Sequence, residues 1–395
     1  MIRELSYLGL ALMLSACNTP VKDGESIPIL KEVSFTNVYA YKQSTYADAL
    51  KRCVSIRNQD KSCTLEELPL LSPDERVPTK EQIMKRVVVS HAWMGKRFEH
   101  ILDLLDDDIK ILLGSVTAIV IDDDINPSFY WSVTGAIYIE PDYLWLNEEE
   151  RKTITKNEDY RSKYAEVLNF VRGARFVKSG GGTFAFKNLN SPHRTEKDIV
   201  PNVARLLYHE LAHANDYIPR SKRYLLDKKL SVYENMLNLY SQSETIGQKL
   251  YERYPLYQEK LQEIAGVIWH GKEATQEQKN MSAYEVAELF ENDDAVRLYS
   301  YSSRREDLAT LFENTMLKYH YGIEHEIAFL NKTDMAEKLS CEDYEIALGI
   351  GNRIGNDEVK KRAVFVVDKI LGKQENLEQI IGKERRLKIG YNWCI

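Results

Sequence analysis

Beyond the N-terminus, no eighteen apolar residues run together in the 395-residue chain, and no dense block of lysine or arginine occurs. The first absence leaves no candidate transmembrane helix after the N-terminal segment. The second, with a formal net charge of −7, argues against nucleic acid or an anionic membrane surface as the main partner. Cysteine is scarce, with five residues and none in Cys-x-x-Cys spacing, so neither a cysteine metal site nor a redox pair is expected. No internal repeat of fixed period is present, which excludes a solenoid. What remains, 44% hydrophobic and 29% charged residues, describes an ordinary globular protein of two or three domains, or one large domain with insertions.

The N-terminus is read as a targeting segment. Arg3 precedes an apolar run, Leu5 to Leu14, that is too short to span a bilayer and ends in Leu14-Ser15-Ala16-Cys17. This ending resembles a bacterial lipobox, which makes residues 1–16 a signal peptide and Cys17 the lipidated first residue of the mature chain. Removing 1–16 takes away one charge of each sign, Arg3 and Glu4, so the mature charge stays at −7. More than one acyl chain gives stable anchoring. Asn18 after the cysteine, by resemblance to lipoprotein sorting signals, points to the outer membrane, facing the periplasm. In that exported context the other cysteines are expected to pair as Cys53–Cys63 and Cys341–Cys394, each couple sharing a terminal region.

Along the chain, 17–78 reads as a tether and a disulfide-closed lead-in ending in Pro69, Pro73 and Pro78. The spacing of Ile83, Val87, His91, Met94, Phe98, Ile101 and Leu105 predicts one long amphipathic helix from Thr79. Val116–Ile121 and Gly135–Ile139 have strand character, the second stopped by Pro141. Residues 222–290 read as a helical insertion, within a catalytic domain spanning 79–330, and 331–395 as a helical C-terminal cap.

The stretch that organises the rest is His209-Glu210-Leu211-Ala212-His213. Val203, Leu207, Leu211 and Ala214 make an apolar stripe at helical spacing, and His209 and His213 lie one turn apart on the opposite face. Two imidazoles so placed can hold one Zn²⁺, and Glu210 is positioned as general base on a zinc-bound water. A third protein ligand is needed, and no Gly-x-x-His follows His213 to supply it. Glu306, in the first turn of a helix whose apolar face is Leu308, Leu311 and Phe312, is the best candidate. Glu285, Glu288 and Glu291 compete with it. Asp216, seven residues after His209, is read as a carboxylate that orients a ligand imidazole, or as a ligand itself.

Glu306-Asp307-Leu308-Ala309-x-x-Phe312 and His213-Ala214-Asn215-Asp216 resemble the two zinc helices of gluzincin-like peptidases of the anthrax lethal factor type. The resemblance covers well under a tenth of the chain. Thr310 stands where that family has a second Glu, and the segment between the helices is longer. It implies zinc held by His209, His213 and Glu306, and a tyrosine before the glutamate helix that stabilises an oxyanion. Tyr299 and Tyr301 are both available, with Tyr301 slightly preferred. It also implies a strand that pairs with extended substrate, for which Gly135 to Ile139 is the candidate. The expectation is therefore a mainly helical α+β protein with a zincin-like core, a small sheet, a helical insertion and a helical cap. Its expected function is that of a lipid-anchored zinc metallopeptidase acting on peptide or protein substrates in the bacterial envelope. A zinc-binding scaffold lipoprotein with little hydrolytic activity is the alternative, and hydrolysis of a non-peptide envelope substrate a third reading.

Overall fold

Val87-Val88-Val89, Ile119-Val120-Ile121 and Ala136-Ile137-Tyr138-Ile139 are runs rich in β-branched residues, and each becomes a strand buried on both faces. They form the parallel heart of a five-stranded sheet in the computed structural model, which describes residues 35, 37–156, 159–181, 191, 193–331 and 343–393. In chain order the strands are β1 (Tyr39–Ala40), β2 (Val87–Val89), β3 (Ile119–Ile121), β4 (Phe129–Trp131) and β5 (Ala136–Ile139). The spatial order is β1-β2-β3-β5-β4, with both outer strands antiparallel to their neighbours. Alternation splits the strands between two cores. Val87, Val89, Ile119, Ile121, Ile137 and Ile139 face a large core that includes the His-Glu helix. Val88, Val120 and Tyr138 face a smaller one with Leu50, Cys53 and Val54.

A second, antiparallel sheet takes the order β6 (Phe170–Lys178), β7 (Ile323–Asn331), β8 (Glu345–Gly351), β9 (Arg385–Arg386). The insertion helices Glu259–His270 and Ala283–Glu291 cover one face of it, in a separate core with Ile327, Phe329, Leu348 and Ile350. The chain is thus α+β with about half of its residues in helices and two small sheets.

Three expectations need correcting. The long helix from Thr79 is interrupted: Lys80–Met84 and Ala92–Ile101 are helical, and β2 lies between them. Three consecutive valines favour the pleated conformation, and pairing on both sides rewards it. The segment after 331 is not wholly helical, because β8 completes the second sheet before the helix Asp357–Ile370 begins. Gly135 to Ile139 is not a free strand. β5 is paired with β3 on one side and β4 on the other, and β4 is the edge.

Cys53 and Cys63 are disulfide-bonded, pinning the helix Ala47–Val54 beneath the first sheet. Cys17, Cys341 and Cys394 lie outside the described residues. Closing a loop of sequence separation 10 removes unfolded-state entropy worth about 2–3 kcal/mol. Replacing both Cys53 and Cys63 with Ser is expected to lower unfolding stability by that amount in urea titration. An unchanged midpoint and slope would show that the bridge contributes nothing.

Candidate metal centre

Two long helices carry the centre. The first, Glu196–Tyr217, opens with a capping box in which Thr195 and Asp198 exchange hydrogen bonds. It runs until Ile218, where Pro219 follows. The second, Arg304–Tyr321, starts at Ser303, whose hydroxyl accepts the Glu306 N–H at 3.1 Å, and ends at Gly322 in the left-handed region, φ 59°. The two make the most extensive helix–helix contact among the described residues. The N-terminus of the second is held by Arg362, fully buried, which pairs with Asp307 and donates to the Asp294 carbonyl at 2.7 Å.

This crossing brings His209, His213 and Glu306 together, with one potential ligand atom of each within 4.8 Å of the others. His209 Nε2 lies 3.0 Å from Glu306 Oε2, and His213 Nε2 3.5 Å from Glu306 Oε1. The rings of the histidines are perpendicular, with centroids 5.1 Å apart. Burial alone would lower the His209 pKa, but hydrogen bonds to Glu306 and Glu313 overcome it and raise the group to about 10. Burial would likewise raise Glu306, yet His213 and His209 hold it well below the usual carboxylate range. A site in which negative charge dominates to this degree suits a cation. Two imidazole nitrogens and a carboxylate oxygen are the donor set of a catalytic zinc site.

Glu313, on the same helix as Glu306 and two turns later, has no solvent exposure. Its Oε2 accepts from His209 Nδ1 at 2.9 Å and from Arg297 at 3.0 Å, and its Oε1 faces Arg205 at 3.3 Å. Against the effect of burial, Arg297, Arg205 and His209 keep it ionised far below the usual carboxylate range. The imidazole is thereby fixed with Nδ1 towards Glu313 and Nε2 towards the centre. The carboxylate that orients His209 is Glu313 and not Asp216. Asp216 is buried but caps another element, accepting the Gly247 N–H at 2.8 Å at the start of the helix Ile246–Arg253.

Glu210 is buried, and its Oε2 accepts the Tyr130 N–H of edge strand β4 at 2.8 Å. Burial raises its pKa, although His209 and His213 pull the other way. Of the two tyrosines, Tyr299 faces the centre. Its ring stacks on His209 with centroids 6.1 Å apart, and burial together with the Glu306 charge holds its hydroxyl protonated well above the ordinary value. The preference for Tyr301 is corrected: its hydroxyl donates to Asp293 at 3.0 Å, inside the second core.

Glu285, Glu288 and Glu291 are exposed and stand outside the histidines' grouping; Glu285 accepts the Ser282 N–H in a capping box and Glu291 pairs with Arg386. Asp106, Asp108 and His320 form a second acidic grouping among the described residues. There the Asp106 oxygens already accept from Tyr208 and Tyr321 and His320 is 2.8 Å from Asp108, so the group ties helices together.

Beside His209 and Glu210 lies a cavity of about 340 Å³ walled by the His-Glu helix, β6, β7 and Trp269. No sequence motif singles out Glu313, Arg205 or Arg297. The signal for Glu313 was present: it stands seven residues after Glu306 and so on the same helix face. Replacing Glu313 with Gln keeps its shape but removes the charge that orients His209. Affinity for a divalent metal ion, read by competition with a chromophoric chelator, is expected to fall about 10–100-fold. An unchanged affinity would show that Glu313 does not serve the centre. No family model matches the chain, and no curated protein or solved structure is similar to it, so the chemistry of the centre rests on its own geometry.

Proposed function

We propose that the protein is a zinc-dependent metallopeptidase of the gluzincin arrangement, anchored by a lipid on Cys17 in the bacterial envelope. The observation that carries this reading is the convergence of His209, His213 and Glu306 beside a buried Glu210 that is not itself part of the ligand group. A purely structural metal site has no use for that second, independently held acid.

A zinc ion held by His209, His213 and Glu306 would supply Lewis acidity, lowering the pKa of a water and polarising the scissile carbonyl. Glu210 takes the proton of the attacking water and returns it to the leaving amine. Burial raises its pKa above that of a free carboxylate, which favours uptake of the proton from water. The Tyr130 N–H keeps the carboxylate in position during the exchange. Tyr299 retains its proton and donates a hydrogen bond to the developing oxyanion. Extended substrate pairs with the free edge of β4, the edge whose Tyr130 amide already faces Glu210.

Glu306→Ala is expected to lose zinc and turnover together. Glu210→Gln should bind zinc normally while turnover on a peptide library falls at least about a hundredfold. Tyr299→Phe should cost about a hundredfold or more in kcat, and Tyr301→Phe should leave kcat near wild type. Full turnover by Glu210→Gln would end the peptidase reading. The anchor is checked separately: expressed in a bacterial host, wild type should fractionate with membranes and Cys17→Ser should become soluble or stay unprocessed. Equal membrane association of both would remove it.

A further inference from the structure

Strand β6 reads Phe170-Val171-Arg172-Gly173-Ala174-Arg175-Phe176, an unusual density of arginine for a strand in a sheet. Its two arginines meet different fates. Residues opposite one another in an antiparallel pair share a face, so Arg175, opposite Glu326, forms an ion pair with it at 2.6 Å. Arg172 stands opposite Phe329, and Ala174 and Phe176 stand opposite Ile327 and His325. That is the face that walls the cavity next to His209 and Glu210. Arg172 has no carboxylate partner among the described residues; its guanidinium lies over the Trp269 ring, 4.6 Å from the centroid.

The rest of the wall adds positive charge. Arg205 and Arg297 must share the single carboxylate of Glu313, and Arg297 Nε is buried with no acceptor. Arg161 also lines the cavity, although Asp159 pairs with it at 2.6 Å. Besides Glu313 the wall holds Glu210, which accepts the Tyr130 N–H, and Glu140, which burial and Asp142 push up to about 7, so that it offsets less than a free carboxylate would. Burial and the guanidiniums of Arg297 and Arg205 hold His325 down to about 3. Its ring is neutral, buried, and neither nitrogen has a partner. A concave surface on which the Arg172 guanidinium has no carboxylate partner and His325 offers an unpartnered ring N–H is complementary to an anion with several lone pairs. Guanidinium groups favour a planar carboxylate, which they can bind through two parallel hydrogen bonds.

We propose that this cavity is the subsite for a substrate residue bearing a carboxylate, with Arg172 making the contact and Arg297 and Arg161 supporting it. The proposal rests on the peptidase reading of the adjoining metal centre. It specifies an acidic side chain next to the scissile bond, or the terminal carboxylate of a peptide, and both sources present the same group to Arg172.

Binding and turnover are measured separately so that the two readings can fail independently. Two pairs of peptidyl hydroxamates are used with the zinc-loaded protein, one pair extending to each side of the zinc-binding group. Within a pair the side chain ends in a carboxylate or in the isosteric amide. In at least one pair the carboxylate member is expected to bind at least about tenfold tighter. Arg172→Gln should abolish the difference, and Arg172→Glu should reverse it. Both substitutions are at an exposed position at the cavity mouth, so the fold should survive. Equal affinity within both pairs overturns the subsite even if peptides are cleaved normally. Binding of neither member of either pair overturns both readings. Carboxylate selectivity without cleavage of any member of a decapeptide library keeps the subsite and ends the peptidase reading. Among cleaved acidic peptides, amidating the C-terminus distinguishes the sources: unchanged turnover assigns the cavity to a side chain, and lost turnover to the chain terminus.

Discussion

A carboxylate with no access to water has to be neutralised by the groups packed around it, and in this protein Glu313 imposes that condition on the whole centre. Its oxygens are divided among His209, Arg205 and Arg297, contributed by the His-Glu helix and by the segment that leads into the glutamate helix. Leaving any of them unpaired would strand a buried charge, at a cost of about 3–5 kcal/mol. The helix crossing, the orientation of His209 and the cationic wall of the cavity are therefore not separate features. They are one network of charges that closes only when the two helices are in register.

The parts of the site that depend on local spacing were legible in the sequence. His209 and His213 at a four-residue interval need only a helix to become neighbours, and the capped run from Glu196 to Tyr217 provides it. Glu306 could be ranked above Glu285, Glu288 and Glu291 by its resemblance to a known pattern, and it is the one that stands with the histidines. The disulfide between Cys53 and Cys63 was likewise readable, because the pair is close in the chain. What failed depended on long-range pairing. Val87, Val88 and Val89 fit a helical stripe until two partner strands claim them. Tyr299 and Tyr301 differ by two residues, and no local rule says which one the tertiary fold turns towards His209.

The second sheet was missed for a physical reason of its own. In β7 the sequence Ile323-Glu324-His325-Glu326-Ile327 alternates as a strand should, but its polar positions carry charges that normally mark a solvated surface. Both glutamates are buried, and they are tolerated because Lys318, Arg385 and Arg175 pair with them across the sheet. The same strategy applies to Arg175 in β6, which pairs with Glu326, while Arg172 on the other face lies over the Trp269 ring. Arg385 and Arg175 stand 59 to 151 positions from the glutamates they compensate, a pattern invisible to any reading of a short window.

The pairing of β6 with β7 joins segments about 150 residues apart, and Glu306 meets His209 across a separation of 97. Loop-closure entropy must therefore be overcome before any contact of the centre is gained, so the metal-binding geometry is a property of the native state alone. In an unfolded chain the histidine pair would be the only remnant of it. Any ligand of the completed centre thus discriminates the native chain from every other conformer. Its binding energy adds directly to folding stability, growing by about 1.4 kcal/mol for each tenfold excess over its dissociation constant. Occupancy of the centre and persistence of the native fold are thereby linked: whatever loosens the helix crossing loosens its hold on a ligand by the same free energy.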